Sequence, residues 1–149
     1  MANVRNYIHI NPIDIDQDRA VGVSVPFDGE AVFNSTYTTK DQIKSNMLNV
    51  LLTEPGERIY KPNFGVGLRN QLFENFTDKE TLEDRIRDQV NRHIPQAELT
   101  NVKIQKDPNS HELNVSIFYK VIANNESDAI KVNFSPDEGL NDSPSIGDY

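Results

Sequence analysis

The chain has 149 residues, enough for one domain with a hydrophobic core. Its 15 basic and 23 acidic residues give a formal charge of −8, which disfavours nucleic acid and anionic membranes as partners because both attract basic surfaces. The absence of cysteine excludes disulfides, thiolate metal sites and cysteine nucleophiles. The sequence contains neither a signal-peptide pattern nor an apolar run long enough to cross a bilayer, so we expect a soluble protein made in a cytoplasm.

The N-terminal region predicts a polar arm followed by a short strand. Residues 1–19 are polar and show no clear period, which indicates an extended arm. In residues 21–25, valines alternate with small residues, a pattern typical of a strand. Pro26 is expected to end this strand because proline cannot donate a ladder hydrogen bond.

Two later segments predict amphipathic helices. Thr39 to Gln42 form a capping box, and the helix behind it is expected to end near Thr53. Thr77 to Glu80 form a second capping box before the clearest helix, which Pro95 ends. A short helix is predicted between them, over residues 67–73. The predicted buried stripes contain Ile43, Met47, Leu48, Val50 and Leu51 in the first helix and Leu82, Ile86, Val90 and Ile94 in the second.

After Pro95 the apolar residues alternate with a period of two, which predicts strands at 97–105, 113–121 and 129–134. We therefore predict an α+β domain over residues 20–135: a short N-terminal strand, two main helices plus a short one, then a three-stranded antiparallel meander. Residues 136–149 contain acidic residues and no basic one, which predicts a flexible acidic tail.

Residues suited to catalysis or metal binding do not form a recognisable site. Asp14, Asp16 and Asp18 have the spacing of a calcium loop, but the glycine and the final glutamate of such a loop are missing. Carboxylates such as Glu54 and Glu57 could serve glycoside hydrolysis, yet 23 acids produce such pairs by chance, and the chain has no tryptophan to stack on a sugar. We predict no cofactor, no metal site and no enzymatic activity.

The segment between the two helices, residues 51–68, is unusual for a loop. It interleaves apolar and charged residues with prolines and glycines, which restrict the unfolded chain and permit tight turns. A preorganised loop with both kinds of side chain suits docking onto another protein. Alternatively, Glu57 and Arg58 pair within the domain and the aromatic residues fill the core. The residues alone leave these two interpretations open.

This segment resembles the signature of the baseplate wedge and sheath-initiator family of contractile tails, also called tail-lysozyme-like. The similarity covers residues 20–134 and is strongest over 51–73, where Leu-Leu-Thr precedes Pro-Gly-Glu-Arg, a Pro-x-Phe-Gly turn and a Leu-rich helix. It implies a structural protein of the virion tail baseplate, assembled in the host cytoplasm in multiple copies with six-fold symmetry. A related subunit belongs to type VI secretion baseplates, so an adaptor of a contractile secretion system is one alternative. The name tail lysozyme implies another, a muralytic glycoside hydrolase acting on peptidoglycan.

The resemblance also implies partners and the residues that bind them. The loop is expected to contact the helical core bundle of other baseplate wedge proteins. The C-terminal strands are expected to template the tail sheath protein by strand addition, and tail tube proteins are a further candidate. The implied partner-binding residues are Glu54, Pro55, Glu57, Arg58, Tyr60 and Phe64 in the loop and Ile130, Val132 and Phe134 in the last strand.

Overall fold

The computed structural model combines two α-helices with two antiparallel sheets, and it describes residues 12–16, 18–25, 34–72, 79–107, 112–134 and 145–147. The small sheet pairs β1 (Gly22–Val23) with β2 (Ser35–Thr36). The helices are α1 (Thr39–Leu52) and α2 (Lys79–His93), and 3-10 turns occupy Pro12–Ile15 and Asn70–Leu72. The main sheet has the order β3 (Ala97–Asp107), β4 (Glu112–Val121), β5 (Ser127–Phe134) and β6 (Ser145–Gly147). The predicted α+β class is confirmed.

One hydrophobic core joins both helices to one face of the main sheet. Every residue of the two predicted helical stripes is at most 3% exposed. Strand β4 alternates along its length, so that every second residue is buried in the core while the residues between them are half-buried or exposed. The buried residues of β4 are Leu113, Val115, Ile117, Tyr119 and Val121.

Helix α1 begins one residue earlier than its predicted capping box indicates. Its N-cap is Thr38, whose hydroxyl accepts the N–H of Asp41 at 3.1 Å. The prediction of Thr39 as N-cap is wrong because Gln42, the expected capping partner, is occupied elsewhere and accepts a hydrogen bond from Thr36 in β2 at 2.6 Å. The second predicted capping box starts at Thr77, which lies outside the described residues.

The acidic triplet near the N-terminus contributes to the same helix start. Asp14 accepts both the N–H and the hydroxyl of Thr39 at 2.7 Å, so this carboxylate lies against the free N–H groups of the first turn of α1. No group of three potential metal ligands occurs in the part of the chain that the structure describes. Within the same ranges, no helix is long and apolar enough to span a membrane.

The main sheet has one strand more than the predicted meander. Strand β6 lies within residues 136–149, the segment predicted as a flexible tail, and it pairs antiparallel with β5. The register places Ser145 opposite Asn133, Ile146 opposite Val132 and Gly147 opposite Lys131. A period-two pattern needs several residues to be recognised, and three residues give no such pattern. The outer edge of β5 is thus partly covered by the same chain.

Candidate functional site

The loop between the helices, residues 53–68, folds back onto the end of α1; we call it the inter-helix loop. The N–H groups of residues 66–68 donate to the carbonyls of Val50, Thr53 and Leu51 at 2.9 to 3.1 Å. The last carbonyls of a helix have no partner within that helix, and here the returning loop supplies their donors. The base of the loop is therefore fixed to the helix.

A buried glutamine on α2 holds the other side of the loop. Gln89 is 6% exposed, and its side-chain oxygen accepts the N–H of Gly65 at 2.9 Å. Its Nε2 donates to the carbonyl of Asn63 at 3.0 Å. Both polar ends of the amide are thus satisfied by loop backbone, as a buried amide requires. The role of Gln89 was not predicted from the sequence, although its position three residues after Ile86, on the buried stripe, was a signal.

Glycine is required where the loop returns past α1. Gly65 has φ of +103°, and a Cβ atom there would lie 2.2 Å from the carbonyl oxygen of Thr53. Gly56 also has a positive φ, +93°, but its surroundings are open. The loop can therefore pass the end of α1 only because Gly65 has no Cβ atom and adopts a positive φ.

Arg58 is packed within the loop and is only partly exposed. Its guanidinium carbon lies 3.9 Å from the centroid of the Phe64 ring, and its Nη2 donates to Asn49 at 2.9 Å. Phe64 also contacts the ring of His93, with ring centroids 4.7 Å apart. We call these three residues the Arg58–Phe64–His93 stack. A cation over an aromatic ring is stabilising, so Arg58 contributes to the shape of the loop.

The tip of the loop exposes two adjacent large side chains. Ile59 is 90% exposed and Tyr60 is 97% exposed, higher than any other large hydrophobic residue of the described part of the chain. The backbone beneath them is fixed, because Lys61 donates its N–H to the carbonyl of Arg58 at 3.1 Å and Gly56 donates to that of Pro62 at 2.8 Å. An apolar pair on a fixed turn is typical of a docking surface.

The remaining predicted loop residues surround this tip with polar groups. Glu57 is exposed, and its carboxylate accepts the N–H of Glu54 at 3.1 Å. The Oε2 of Glu54 accepts from Asn70 at 2.7 Å, whereas its Oε1 is buried without a hydrogen-bond partner among the described residues. Pro55 is exposed. Of the predicted loop residues, Tyr60 is therefore the most accessible and Phe64, at 7% exposure, the least.

The other predicted partner-binding residues, Ile130, Val132 and Phe134, belong to β5. Ile130 and Val132 are 0% exposed and belong to the core, so their side chains hold β5 in place. Phe134 is the last residue of β5, and its side chain lies outside the described residues. A partner strand would meet the backbone of β5, not these two side chains.

A pocket of about 370 Å³ lies beside the first half of α1, away from the two glutamates considered for hydrolysis. Its lining includes Ser24, Tyr37, Asp41 and Lys44. Asp41 is the one acidic residue among the described residues that line it. The pair of carboxylates that glycoside hydrolysis uses is therefore not brought together there.

The sequence and the fold are similar to those of baseplate proteins. Residues 38–126 match the family described as baseplate wedge protein gp25. Baseplate wedge protein gp25 of Enterobacteria phage T4 is 33% identical over 84 residues, which are 55% of this chain and 64% of that protein. A chain of the anti-feeding prophage baseplate has a TM-score of 0.53 and 29% identity, covering 66% of this chain and 82% of its own. A candidate tail lysozyme from Geobacter sulfurreducens has a TM-score of 0.58 at 21% identity, covering 70% of this chain and 97% of its own.

The fold and the inter-helix loop thus define a small α+β subunit of the contractile-tail baseplate class. The matched residues, 38–126, are more than half of the chain, and the chain belongs to the baseplate wedge protein gp25 family. The family membership that was predicted from the resemblance of residues 51–73 is confirmed. The alignment spans 64% of the phage T4 relative, and at 21% identity the likeness to the candidate tail lysozyme concerns the fold alone.

Proposed function

We propose that this protein is a structural wedge subunit of a virion tail baseplate, assembled in the host cytoplasm, and that it docks through the tip of its inter-helix loop. The partner is the helical core bundle of other baseplate wedge proteins. The observation that carries the proposal is the combination of a fixed loop base with Ile59 and Tyr60 at 90% and 97% exposure. Membership of the baseplate wedge family supports it.

Energetic considerations favour the two tip residues as the anchors. Burying an isoleucine or a large aromatic side chain contributes about 2 kcal/mol each relative to leaving it in water. Association is opposed by the cost of ordering mobile segments. In this loop that cost is small, because the hydrogen bonds from Gly56 and Lys61 already fix the turn. A groove between helices is a natural acceptor for such apolar anchors.

The polar residues near the tip have different roles in this proposal. Pro55 and Glu57 are exposed and would form the rim of the interface, whereas Glu54 supports the loop through its hydrogen bond from Asn70. Arg58 and Phe64 position the tip through the Arg58–Phe64–His93 stack. Charge reversal at Arg58 would therefore disturb the loop itself, and it does not separate docking from folding.

The second part of the proposal concerns the tail sheath protein. Its strand would add to the outer edge of β5, which is fixed from the core side by Ile130 and Val132. Strand addition uses backbone hydrogen bonds and needs an edge with free N–H and carbonyl groups. Strand β5 pairs with β4 over Ser127–Phe134, while β6 covers three of its positions.

The docking proposal is tested by binding of the purified chain to co-expressed wedge subunits. Ile59→Ser combined with Tyr60→Ser should weaken the affinity by about 1,000-fold, since two hot-spot side chains at about 2 kcal/mol each contribute about 4 kcal/mol. Circular dichroism and the melting temperature should match the wild type, because both side chains are exposed. Ile122→Ser is the matched control, as Ile122 is 56% exposed in a different turn. Equal binding of the double variant and the wild type would overturn the proposal.

We include no enzymatic activity in the proposal, because no observation at the described pocket or loop favours hydrolysis. No turnover of purified peptidoglycan is expected from the wild-type chain. Release of soluble fragments that is lost in Glu54→Gln or Glu57→Gln, with folding intact, would instead establish the muralytic alternative.

A further inference from the structure

The C-terminal segment of this chain is seated on the edge of β5, the same edge that the proposed function assigns to a partner. Strand β6 pairs with residues 131–133 over three positions. On its other side β5 pairs with β4 over the whole of Ser127–Phe134. The two neighbours of β5 thus differ greatly in length, and the outer one is much the shorter.

Strand β6 has the character of a replaceable strand. It consists of Ser145, Ile146 and Gly147, and only the isoleucine favours strand conformation. It follows a segment, residues 135–144, that contains two prolines, a glycine and three acidic residues and is therefore poor in strand formers. A three-residue strand forms few ladder hydrogen bonds, so a longer strand gains more from the same edge.

We propose that the edge of β5 is a strand-binding site whose resident ligand is the chain's own segment 145–147, which an incoming strand of the tail sheath protein displaces. The sheath part of this inference rests on the proposed function; occupancy by the tail does not. While the tail is bound, the edge is protected from unspecific pairing, which is the hazard of an exposed edge strand. Binding of the sheath then includes the release of the tail as a step.

Strand β6 can occupy the edge of β5 although it is short, because it is joined to β5 by the same chain. A segment joined by a short linker has an effective concentration in the millimolar range. If the tail occupies the edge for about nine-tenths of the time, its removal raises the apparent affinity for a competitor about tenfold. The expected signature is therefore tighter binding by a shortened chain, whereas a tail that contributes contacts to the partner would give weaker binding.

The first test uses the chain alone. Amide hydrogen exchange at residues 131–133 is compared between the full chain, a chain ending at Ser135, and Ile146→Pro, with Ile146→Val as the matched control. Proline removes the N–H at the centre of β6 and disfavours a paired strand. The shortened chain and the proline variant should exchange faster at these amides, and the valine variant should not. Equal exchange in all four proteins would overturn the inference.

The second test supplies the strand in trans. A peptide of residues 141–149 should bind the chain ending at Ser135 and restore slow exchange at residues 131–133, but it should not bind the full chain. The full chain should be monomeric by light scattering. A dimer that becomes monomeric on truncation would show that the tail pairs with a second copy, and that result would contradict occupancy within one chain.

The third test uses the purified tail sheath protein. We expect about tenfold tighter binding to the chain ending at Ser135 than to the full chain. Equal or weaker binding by the shortened chain would refute displacement. If neither form binds the sheath protein while the peptide still binds the shortened chain, the sheath proposal fails and the occupied edge stands.

Discussion

At the scale of single residues, the environment of His93 follows from its place in the Arg58–Phe64–His93 stack. The residue ends α2, where the helix dipole favours a cation. Partial burial nevertheless lowers the pKa of its imidazole, and the charges of Lys61, Arg92 and Arg58 act in the same direction, against a smaller opposing effect of Asp88. Desolvation and like charges thus outweigh the helix end.

This lowered pKa predicts how stability depends on pH. Above the ordinary imidazole pKa of 6.5, both the folded and the unfolded chain carry a neutral His93. As the pH falls through 6.5, the unfolded chain binds the proton first, so the free energy of unfolding decreases until the folded pKa is passed. Urea unfolding between pH 7.5 and 5 should show this decrease, and His93→Gln should show less of it. An identical dependence of stability on pH in the two proteins would contradict a lowered pKa of His93.

At the scale of elements, the inter-helix loop is held by backbone hydrogen bonds to α1 and by one side chain of α2. The end of the loop passes so close to the end of α1 that Gly65 cannot carry a Cβ atom without moving the carbonyl of Thr53. The same carbonyl accepts the N–H of Gly67 at 3.0 Å. A change at Gly65 therefore acts on the junction between loop and helix.

Two glycine substitutions separate conformational strain from steric overlap. Gly56→Ala adds only the strain of a positive φ, about 1 to 2 kcal/mol, because its surroundings are open. Gly65→Ala adds the overlap with Thr53 as well and should cost clearly more, about 3 kcal/mol or above. Chemical denaturation of both variants measures the difference. Equal losses would show that Thr53 moves aside freely.

The sequence was sufficient for those elements whose signal is local and repeated. The helical stripe ending in Ile94 and the alternation from Leu113 to Val121 were long enough to identify α2 and β4 correctly. The N-cap of α1 was misplaced because the side chain of Gln42 accepts a hydrogen bond from Thr36 of β2 and does not cap the helix. The hydrogen bonds of Gln89 and strand β6 were missed because both depend on pairing with backbone that only the fold brings near.

The candidate site was predictable in part. The unusual composition of residues 51–68 identified the loop and the family, but it could not divide the loop residues by role. Burial does so: Phe64 and Arg58 belong to the supporting stack, whereas Ile59 and Tyr60 project from it. Ile59 was absent from the predicted partner-binding residues, and its 90% exposure is a property of the folded turn.

At the scale of the whole molecule, the two proposed partner surfaces belong to different sides of the domain. The inter-helix loop is held by α2, which packs on β3 at one edge of the main sheet. The edge occupied by β6 is the other end of the strand order. Lys40 of α1 links the helix layer to Glu126 in the turn before β5 and to Asp128 in β5 through ion pairs of 3.0 and 3.6 Å. In the proposed function, these two surfaces would let one domain contact a wedge protein and a sheath protein.

In the proposed function, the tip of the inter-helix loop contacts another wedge protein in the assembled tail. The most direct measurement is photo-crosslinking of assembled baseplates that carry a benzophenone amino acid in place of Tyr60, or of Ile122 as the exposed control. We predict a crosslink from position 60 to a helical wedge subunit, identified by mass spectrometry, and none to that subunit from position 122. Assembled baseplates without a crosslink from position 60, or with the same crosslink from both positions, would contradict docking through the loop tip.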